Sequence, residues 1–316
     1  LEVFQELIKP ENEMLLLFSH TVFNDICTNE IEPFIKELRE RTGAGMMDCK
    51  AALSDARGDI EIAIEVMRKS GAAKAAKKAG RIAAEGIISI KLNENDIVIL
   101  EVNCETDFVT KDESFLSFVD SVIQVISNNN VSDVDELLKL NSGNQTIEEA
   151  NQQLIAKIGE KITIRRFQKS LIKNQTGTYL HGIRIGVIVE IKGGSEELAK
   201  DIAMHIAASS PLFINEDQVS QEILGKEKEI YTAQAQESGK PADIVEKMVE
   251  GRLKKFIKEI TLLGQPFVKD PEKSIEKILK SSDAKVLSFI RYEVGEGIEK
   301  RADNFAEEVM SQAKGS

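Results

Sequence analysis

The chain contains no tryptophan, and aromatic residues fill only 5% of its 316 positions. One large aromatic core is therefore disfavoured, and small domains built on Ala, Ile, Leu and Val are expected. Cysteine is scarce as well. Cys27, Cys49 and Cys104 are odd in number, widely spaced and form no CxxC pair. That excludes a disulfide framework and gives no zinc-ligand spacing, so the thiols read as reduced and buried in a cytosolic protein. Long apolar runs are absent too. The nearest, Met14-Leu15-Leu16-Leu17-Phe18, falls far short of the roughly 20 residues of a membrane span and lacks the basic start of a signal peptide. A cytoplasmic location with no membrane contact is expected. Basic residues are in deficit, 41 against 53 acidic, for a net charge of −12. Nucleic acid is thereby a poor main partner, and another protein a better one.

Catalytic groupings are missing in the same way. The three histidines, His20, His181 and His205, show neither HxxxH nor HExxH spacing. No GxSxG, GxxxxGK[ST] or strand-following GxGxxG occurs. The carboxylates spread along polar helix faces, as solvated surfaces do. The chain reads as a non-enzyme with no catalytic residue, no metal ligand and no cofactor.

What is present is an orderly alternation of elements. Ile31, Phe34, Ile35 and Leu38 share one face of a helix over Glu30–Arg41, which Thr42-Gly43-Ala44-Gly45 interrupts. A second helix is predicted over Met46–Ala56, closed by Gly58. Asp59 caps a third over Ile60–Ser70, closed by Gly71. The Ala/Lys/Gly stretch Ala72–Gly86 then reads as a linker helix. Ile87–Leu92 and Ile97–Asn103 alternate as a hairpin around Asn93-Glu94-Asn95-Asp96, and a helix follows over Ser114–Ile126. A second strand–strand–helix series starts near Gly177, with a strand over Ile185–Ile191 and a helix over Glu196–Ala208. This suggests a duplicated α/β half-domain, completed in the second case by a strand over Val286–Glu293.

Between those parts lie two helical arms, Gln218–Glu237 and Ala242–Ile260, around Ser238-Gly239-Lys240-Pro241. The second arm is amphipathic through Val245, Met248, Val249, Leu253, Phe256 and Ile260. In the first, Val219, Ile223 and Ile230 are the best positions. An antiparallel hairpin about 30 Å long would result. It cannot bury much of itself, so a partner or self-association through this coiled coil is expected. Ala302–Ala313 reads as a terminal helix with Phe305, Val309 and Met310 on one face.

Two local features bear on function. Arg68, Lys69, Lys74, Lys77, Lys78 and Arg81 form the one nucleic-acid-like stretch, with four of them on a helix face. Phosphate binding there competes with a solvated linker helix, and no interleaved aromatic offers base stacking. Thr106-Asp107-Phe108-Val109 sits between a strand and a helix. Phe108 is either core, as a Phe at a strand end usually is, or an exposed wedge beside an acid at a loop tip. These residues alone leave both open.

The run Leu38-Arg39-Glu40-Arg41-Thr42-Gly43-Ala44-Gly45-Met46-Met47-Asp48-Cys49-Lys50 resembles the opening signature of the elongation factor Ts family, and Glu101–Val109 resembles its second signature. Ala156–Glu160, His181-Gly182, His205–Ser209, Lys247–Arg252, Gly264–Val268 and Glu293–Gly297 continue the likeness in the family's order. Residues 1–28 have no counterpart and are expected to be a cloning remnant or an extended start; 127–150 match loosely.

The resemblance implies an α+β fold. It comprises an N-terminal three-helix (UBA-like) module over 29–71, a linker helix over 72–86 and a core of two duplicated α/β subdomains with small antiparallel sheets. These would span 87–176 and 177–300, with an antiparallel coiled-coil hairpin inserted at about 216–260 and a C-terminal helix over 301–316. The function it implies is guanine nucleotide exchange on elongation factor Tu. Positions matching Arg39, Met46 and Met47 would dock on the partner's GTPase domain, although core packing competes for the two methionines and one of them is expected to serve both ends. Asp107 and Phe108 would intrude near its magnesium and nucleotide, with Ile158 and Gly159 against the same region. His181 would meet a more distant partner domain, with a hydrogen-bonded structural histidine as an equal alternative. The rival functions are a structural adaptor and an RNA-binding translation protein, neither with exchange activity.

Overall fold

A computed structural model describes residues 32–42, 44–237 and 241–299. The extension at 1–28, the hairpin turn at Ser238–Lys240 and the expected helix over Ala302–Ala313 lie outside the described residues. The rest falls into two compact units. Among the described residues, one comprises those up to Arg81 together with Gly143–Lys161, and the other comprises Ile82–Ser142 and those from Ile162 onward.

In the first unit, helices α1 (32–42), α2 (Met46–Asp55) and α3 (Ile60–Lys78) enclose Ile35, Leu38, Cys49, Ala52, Leu53, Ala56 and Ala63. Small side chains let the helix backbones approach closely, as the lack of aromatics requires. The Gly58 N–H returns to the Leu53 carbonyl at 2.8 Å to end α2, and the Asp59 carboxylate accepts from the Ile62 N–H at 3.0 Å to start α3. Gly71 does not close α3, contrary to expectation. Ala72-Ala73-Lys74-Ala75-Ala76-Lys77-Lys78 is strongly helix-forming and outweighs one glycine, a penalty of about 1 kcal/mol. Gly71 is buried where α3 crosses α5 (Ile147–Ile158), beside the Gln152 backbone. Helix α5 was not anticipated, although Thr146-Ile147-Glu148-Glu149 carries its signal. The Glu149 N–H donates to Thr146 Oγ1 at 3.2 Å and the Glu149 carboxylate accepts from the Thr146 N–H at 3.0 Å, a complete capping box.

The second unit is built on two three-stranded antiparallel sheets. The first has the order β1–β2–β3, with β1 (Glu85–Leu92), β2 (Asp96–Cys104) and β3 (Thr163–Leu171). The second has the order β6–β5–β4, with β4 (Gln175–His181), β5 (Ile185–Lys192) and β6 (Lys285–Glu293). In each, a hairpin is followed by a helix, and a strand returns from far along the chain to the hairpin's second strand. Helix α4 (Glu113–Asn128) packs on the first sheet through residues such as Phe115, Val119 and Val122. Helix α6 (Glu196–Ser209) packs on the second, where Val187, Val189 and Ile191 meet Ala199, Ile202 and Ile206. The opposite faces of the two sheets meet through Ile88, Ile97, Ile99, Ile188 and Tyr292. Gly186 permits that approach, since a Cβ there would lie 2.4 Å from Ile88 Cγ2.

At the rim of this layer lies Glu101, fully buried within the apolar strand β2. Its carboxylate accepts from Arg165 Nη1 at 2.9 Å, Arg166 Nε at 2.6 Å and the Gly295 N–H at 2.9 Å. Successive residues of a strand normally point to opposite faces. A bulge opposite Glu101 and Val102 relaxes that rule, so adjacent arginines reach one acid. Arg166 also lies over the Tyr292 ring, 4.1 Å from its centroid. One carboxylate thus ties the first sheet to the segment that leaves β6.

Helices α7 (Gln221–Gln236) and α8 (Ala242–Ile260) run antiparallel, with Gln234 accepting from Arg252 at 3.0 Å and Tyr231 edge-on to Phe256. The buried seam consists of Ala235, Val245 and Val249 with Tyr231 against it. Ile230, expected in that seam, is exposed instead, and its neighbour Tyr231 takes the inward position. The base of the hairpin is fixed by a buried polar contact. His205 Nδ1 accepts from the Val268 N–H at 3.3 Å, so Nε2 carries the proton and donates to Gln265 Oε1 at 3.0 Å. Burial pushes the His205 pKa down, opposed by the Gln265 hydrogen bond. Two motif segments, His205–Ser209 and Gly264–Val268, are therefore joined by a structural contact.

Removing the Glu101 charge should leave the partly exposed Arg165 without its carboxylate partner and Arg166 with Glu296 alone. Glu101→Gln is expected to cost about 3 kcal/mol, the lower end of the range for a broken buried pair, because both arginines keep some access to water. Urea denaturation checks this against Glu222→Gln, which breaks an exposed i,i+4 pair with Lys226 and should change stability by less than about 0.5 kcal/mol. Equal small losses in both variants would contradict the role given to Glu101.

Candidate functional site

The predicted contact residues fall on both units, and each unit presents its own surface. On the first, Met46 and Met47 open α2. They are 58% and 75% exposed, and Gly45 before them provides no side-chain cap. The expectation that one of them also packs in the core is not met, because Cys49, Ala52 and Leu53 on the next turn fill it. Burial pushes the Cys49 thiol pKa up, against a lowering contribution from Thr42, so this cysteine is held as an inert thiol. Arg39 is exposed on α1, next to the buried Leu38.

Ile158 and Gly159 terminate α5. Gly159 adopts φ +87°, and its N–H returns to the Ile155 carbonyl at 2.9 Å. Such a left-handed cap favours glycine. Ile158 is half-buried and Gly159 exposed, so the end of the helix is an accessible apolar and backbone surface. Lys78 donates to the Gly159 carbonyl oxygen. Lys74 pairs with Asp48 at 3.1 Å and Arg68 lies 3.7 Å from Glu149. Three of the six side chains in the basic stretch therefore tie α3 to α2 and α5.

The second unit carries the sharper feature. Phe108 is 81% exposed, whereas Cys104 before it and Val109 and Thr110 after it are buried. The chain leaves β2, exposes Asp107 and Phe108, and turns through a short 3-10 segment, Val109–Lys111. Asp112 then caps α4, accepting from the N–H groups of Ser114 at 2.8 Å and Phe115 at 3.1 Å. Phe115 provides the core aromatic of this region. The alternative left open for Phe108 is settled: it lies outside the core of its own protein.

His181 ends β4 and is also exposed. Its ring stacks on Tyr179 with centroids 6.2 Å apart, and its Nδ1 lies 3.2 Å from the tyrosine oxygen. It is therefore both hydrogen-bonded and open to a partner. Glu85, paired in register with Cys104, makes an ion pair with Arg184, and the Ile88 N–H donates to the Ile183 carbonyl at 2.7 Å. The Phe108 loop and the His181 turn accordingly leave the two sheets at the same end of this unit. Sequence reasoning did not single out Glu101, Arg165 and Arg166, although an acid inside an apolar strand signals a buried partner.

Among the described residues, no group of three His, Cys, Asp or Glu is arranged to hold a metal ion, and no helix is long and apolar enough to cross a membrane. The surfaces offer exposed apolar and acidic tips on a rigid support.

Comparison with known proteins assigns a family to this geometry. A family model described as Elongation factor TS matches residues 105–296. Elongation factor Ts of Thioalkalivibrio sulfidiphilus is 58% identical over 286 residues, covering 89% of this chain and 98% of the relative. The proteins of that name from Methylococcus capsulatus and Legionella pneumophila are 56% and 55% identical, each over 89% of this chain and over 98% and 97% of their own lengths. The class is that of translation elongation factors, proteins of protein biosynthesis. Within it, the chain belongs to the elongation factor Ts family.

Exposure of Phe108 makes a direct prediction. Phe108→Ala should change unfolding free energy by less than about 0.5 kcal/mol, as surface substitutions do. Phe115→Ala, seven residues on and fully buried, should cost about 3–5 kcal/mol. Chemical denaturation of both variants checks the contrast, and a large loss for Phe108→Ala would return that residue to the core.

Proposed function

We propose that this protein is a non-enzymatic guanine nucleotide exchange factor for elongation factor Tu, acting in the cytoplasm. The observation that carries the proposal is the exposed, backbone-anchored Phe108 beside an exposed Asp107. An aromatic ring held in water on a fixed loop is suited to entering another protein, and the adjacent carboxylate is suited to disturbing a cation site. In this reading Asp107 and Phe108 enter near the partner's magnesium and nucleotide. Ile158 and Gly159 press on the same region, Arg39, Met46 and Met47 hold the GTPase domain, and His181 meets a more distant domain.

Exchange of this kind is linkage, with no covalent step. A factor that binds the nucleotide-free partner better than the GDP-bound one weakens GDP binding by the same ratio. Magnesium supplies much of the local positive charge that holds phosphates, so displacing its ligands loosens the nucleotide. A typical coupling of about 1–3 kcal/mol changes affinity roughly 5–150-fold. Efficient exchange needs more, which favours several contacts acting together over a single one. GTP binding then displaces the factor.

Release of labelled GDP from purified elongation factor Tu tests the proposal. The wild-type protein should accelerate release. Phe108→Ala should slow the stimulated rate about 30-fold, the effect of an interface hot spot worth about 2 kcal/mol. Asp107→Ala should slow it most at high magnesium, where the ion has to be displaced. Binding to elongation factor Tu without acceleration would favour a structural adaptor, and binding to RNA in place of elongation factor Tu would favour an RNA-binding translation protein.

A further inference from the structure

Two side chains outside the proposed contact set hold the loop that carries Phe108. Cys104, the last residue of β2, directs its Sγ at the Thr106 carbonyl oxygen 3.1 Å away. Thr110, 6% exposed, donates its hydroxyl to the Asp107 carbonyl oxygen at 2.6 Å, and its backbone N–H reaches the same oxygen at 3.3 Å. The Lys111 N–H closes on the Phe108 carbonyl at 3.2 Å, leaving Phe108 at φ −61° and ψ −40°. The peptide groups on both sides of Phe108 are thereby fixed from below, and with them the direction of its side chain.

We infer that Thr110, assisted by Cys104, is a positioning residue for partner engagement, holding the Asp107–Phe108 segment in its projecting form before any partner arrives. The inference rests on the exchange reading above. An exposed phenyl ring gains free energy by covering apolar surface, so a loop free to rearrange would fold it down. Hydrogen bonds to the carbonyls of Thr106 and Asp107 oppose that collapse. A preorganised tip then meets its partner without a further ordering cost, which would otherwise be subtracted from binding. Threonine at a strand-to-helix junction also makes such hydroxyl bonds for purely local reasons. The two roles differ in whether the effect of Thr110 passes through Phe108.

A double-mutant cycle separates them. Thr110→Val keeps the shape and the backbone N–H bond but removes the hydroxyl. Stimulated GDP release should slow about five-fold, the equivalent of one ordinary hydrogen bond. Thr110→Ser should restore the wild-type rate. In the Phe108→Ala background, Thr110→Val should cause clearly less slowing, because of the two side chains it positions only Asp107 remains. A second readout needs no partner. Chymotryptic cleavage after Phe108, located by mass spectrometry, should be faster in Thr110→Val than in the wild type. Equal slowing in both backgrounds, or unchanged cleavage, would overturn the inference. If the wild-type protein fails to accelerate release at all, the exchange reading falls. The cleavage rates then decide separately whether Thr110 holds the loop.

Discussion

The buried carboxylate of Glu101 is the constraint on which the second unit depends. Burying an acid is unfavourable unless charge and hydrogen bonds are both satisfied. Here three donors satisfy it, and they come from different parts of the chain: two from β3 and one from the segment after β6. The requirement explains the bulge in the first sheet and the side-by-side arginines. It also fixes Glu293–Glu296, since Arg166 reaches the Glu293 carbonyl at 3.3 Å and the Glu296 carboxylate at 3.2 Å. Hydrophobic contact between the sheets is non-directional, whereas this cluster tolerates only one register. Specificity of assembly is its main consequence.

A rigid base of this kind is what the exposed tips need. Glu101 lies three residues before Cys104, on the strand whose end launches the Phe108 loop. The loop is closed on its other side by the Asp112 cap and the buried Phe115. Phe108 is thus held between two fixed elements, and the His181 turn leaves the same end of the unit. On the first unit, the helix start at Met46 and the glycine-capped end of α5 present equivalent accessible tips. The pattern throughout is apolar or acidic groups displayed at element ends, with their backbones held by hydrogen bonds.

Elements with a clean hydrophobic period were legible in the sequence. The β1–β2 hairpin shows through the alternation from Ile87 to Asn103, and α8 through Val245, Val249 and Phe256. The α+β class and the family likeness followed from these and from the ordered motifs. Strand β3 was not legible, because Arg165, Arg166 and Lys169 give it a polar face. Those residues point at Glu101 and at the C-terminal carbonyls of α4, where Lys169 reaches the oxygens of Ser127 at 2.6 Å and Asn129 at 3.1 Å. The expected break at Gly71 is absent because the helix-forming run after it continues α3 to Lys78, and the linker helix expected over 72–86 stops there and gives way to β1 at Glu85. For Phe108, the residues alone favoured a core position and left an exposed wedge open. Only the burial of its neighbours decides between them.

Because the chain has no tryptophan, Phe108→Trp would place a single indole reporter at the tip. Its emission, taken as the difference from identical mixtures with the wild-type protein, measures the central claim directly. Alone, the variant should show the red-shifted emission of an indole in water, and nucleotide-free elongation factor Tu should shift it to the blue as the ring becomes buried. Blue-shifted emission in the free protein, or no change when the complex forms, would contradict the account.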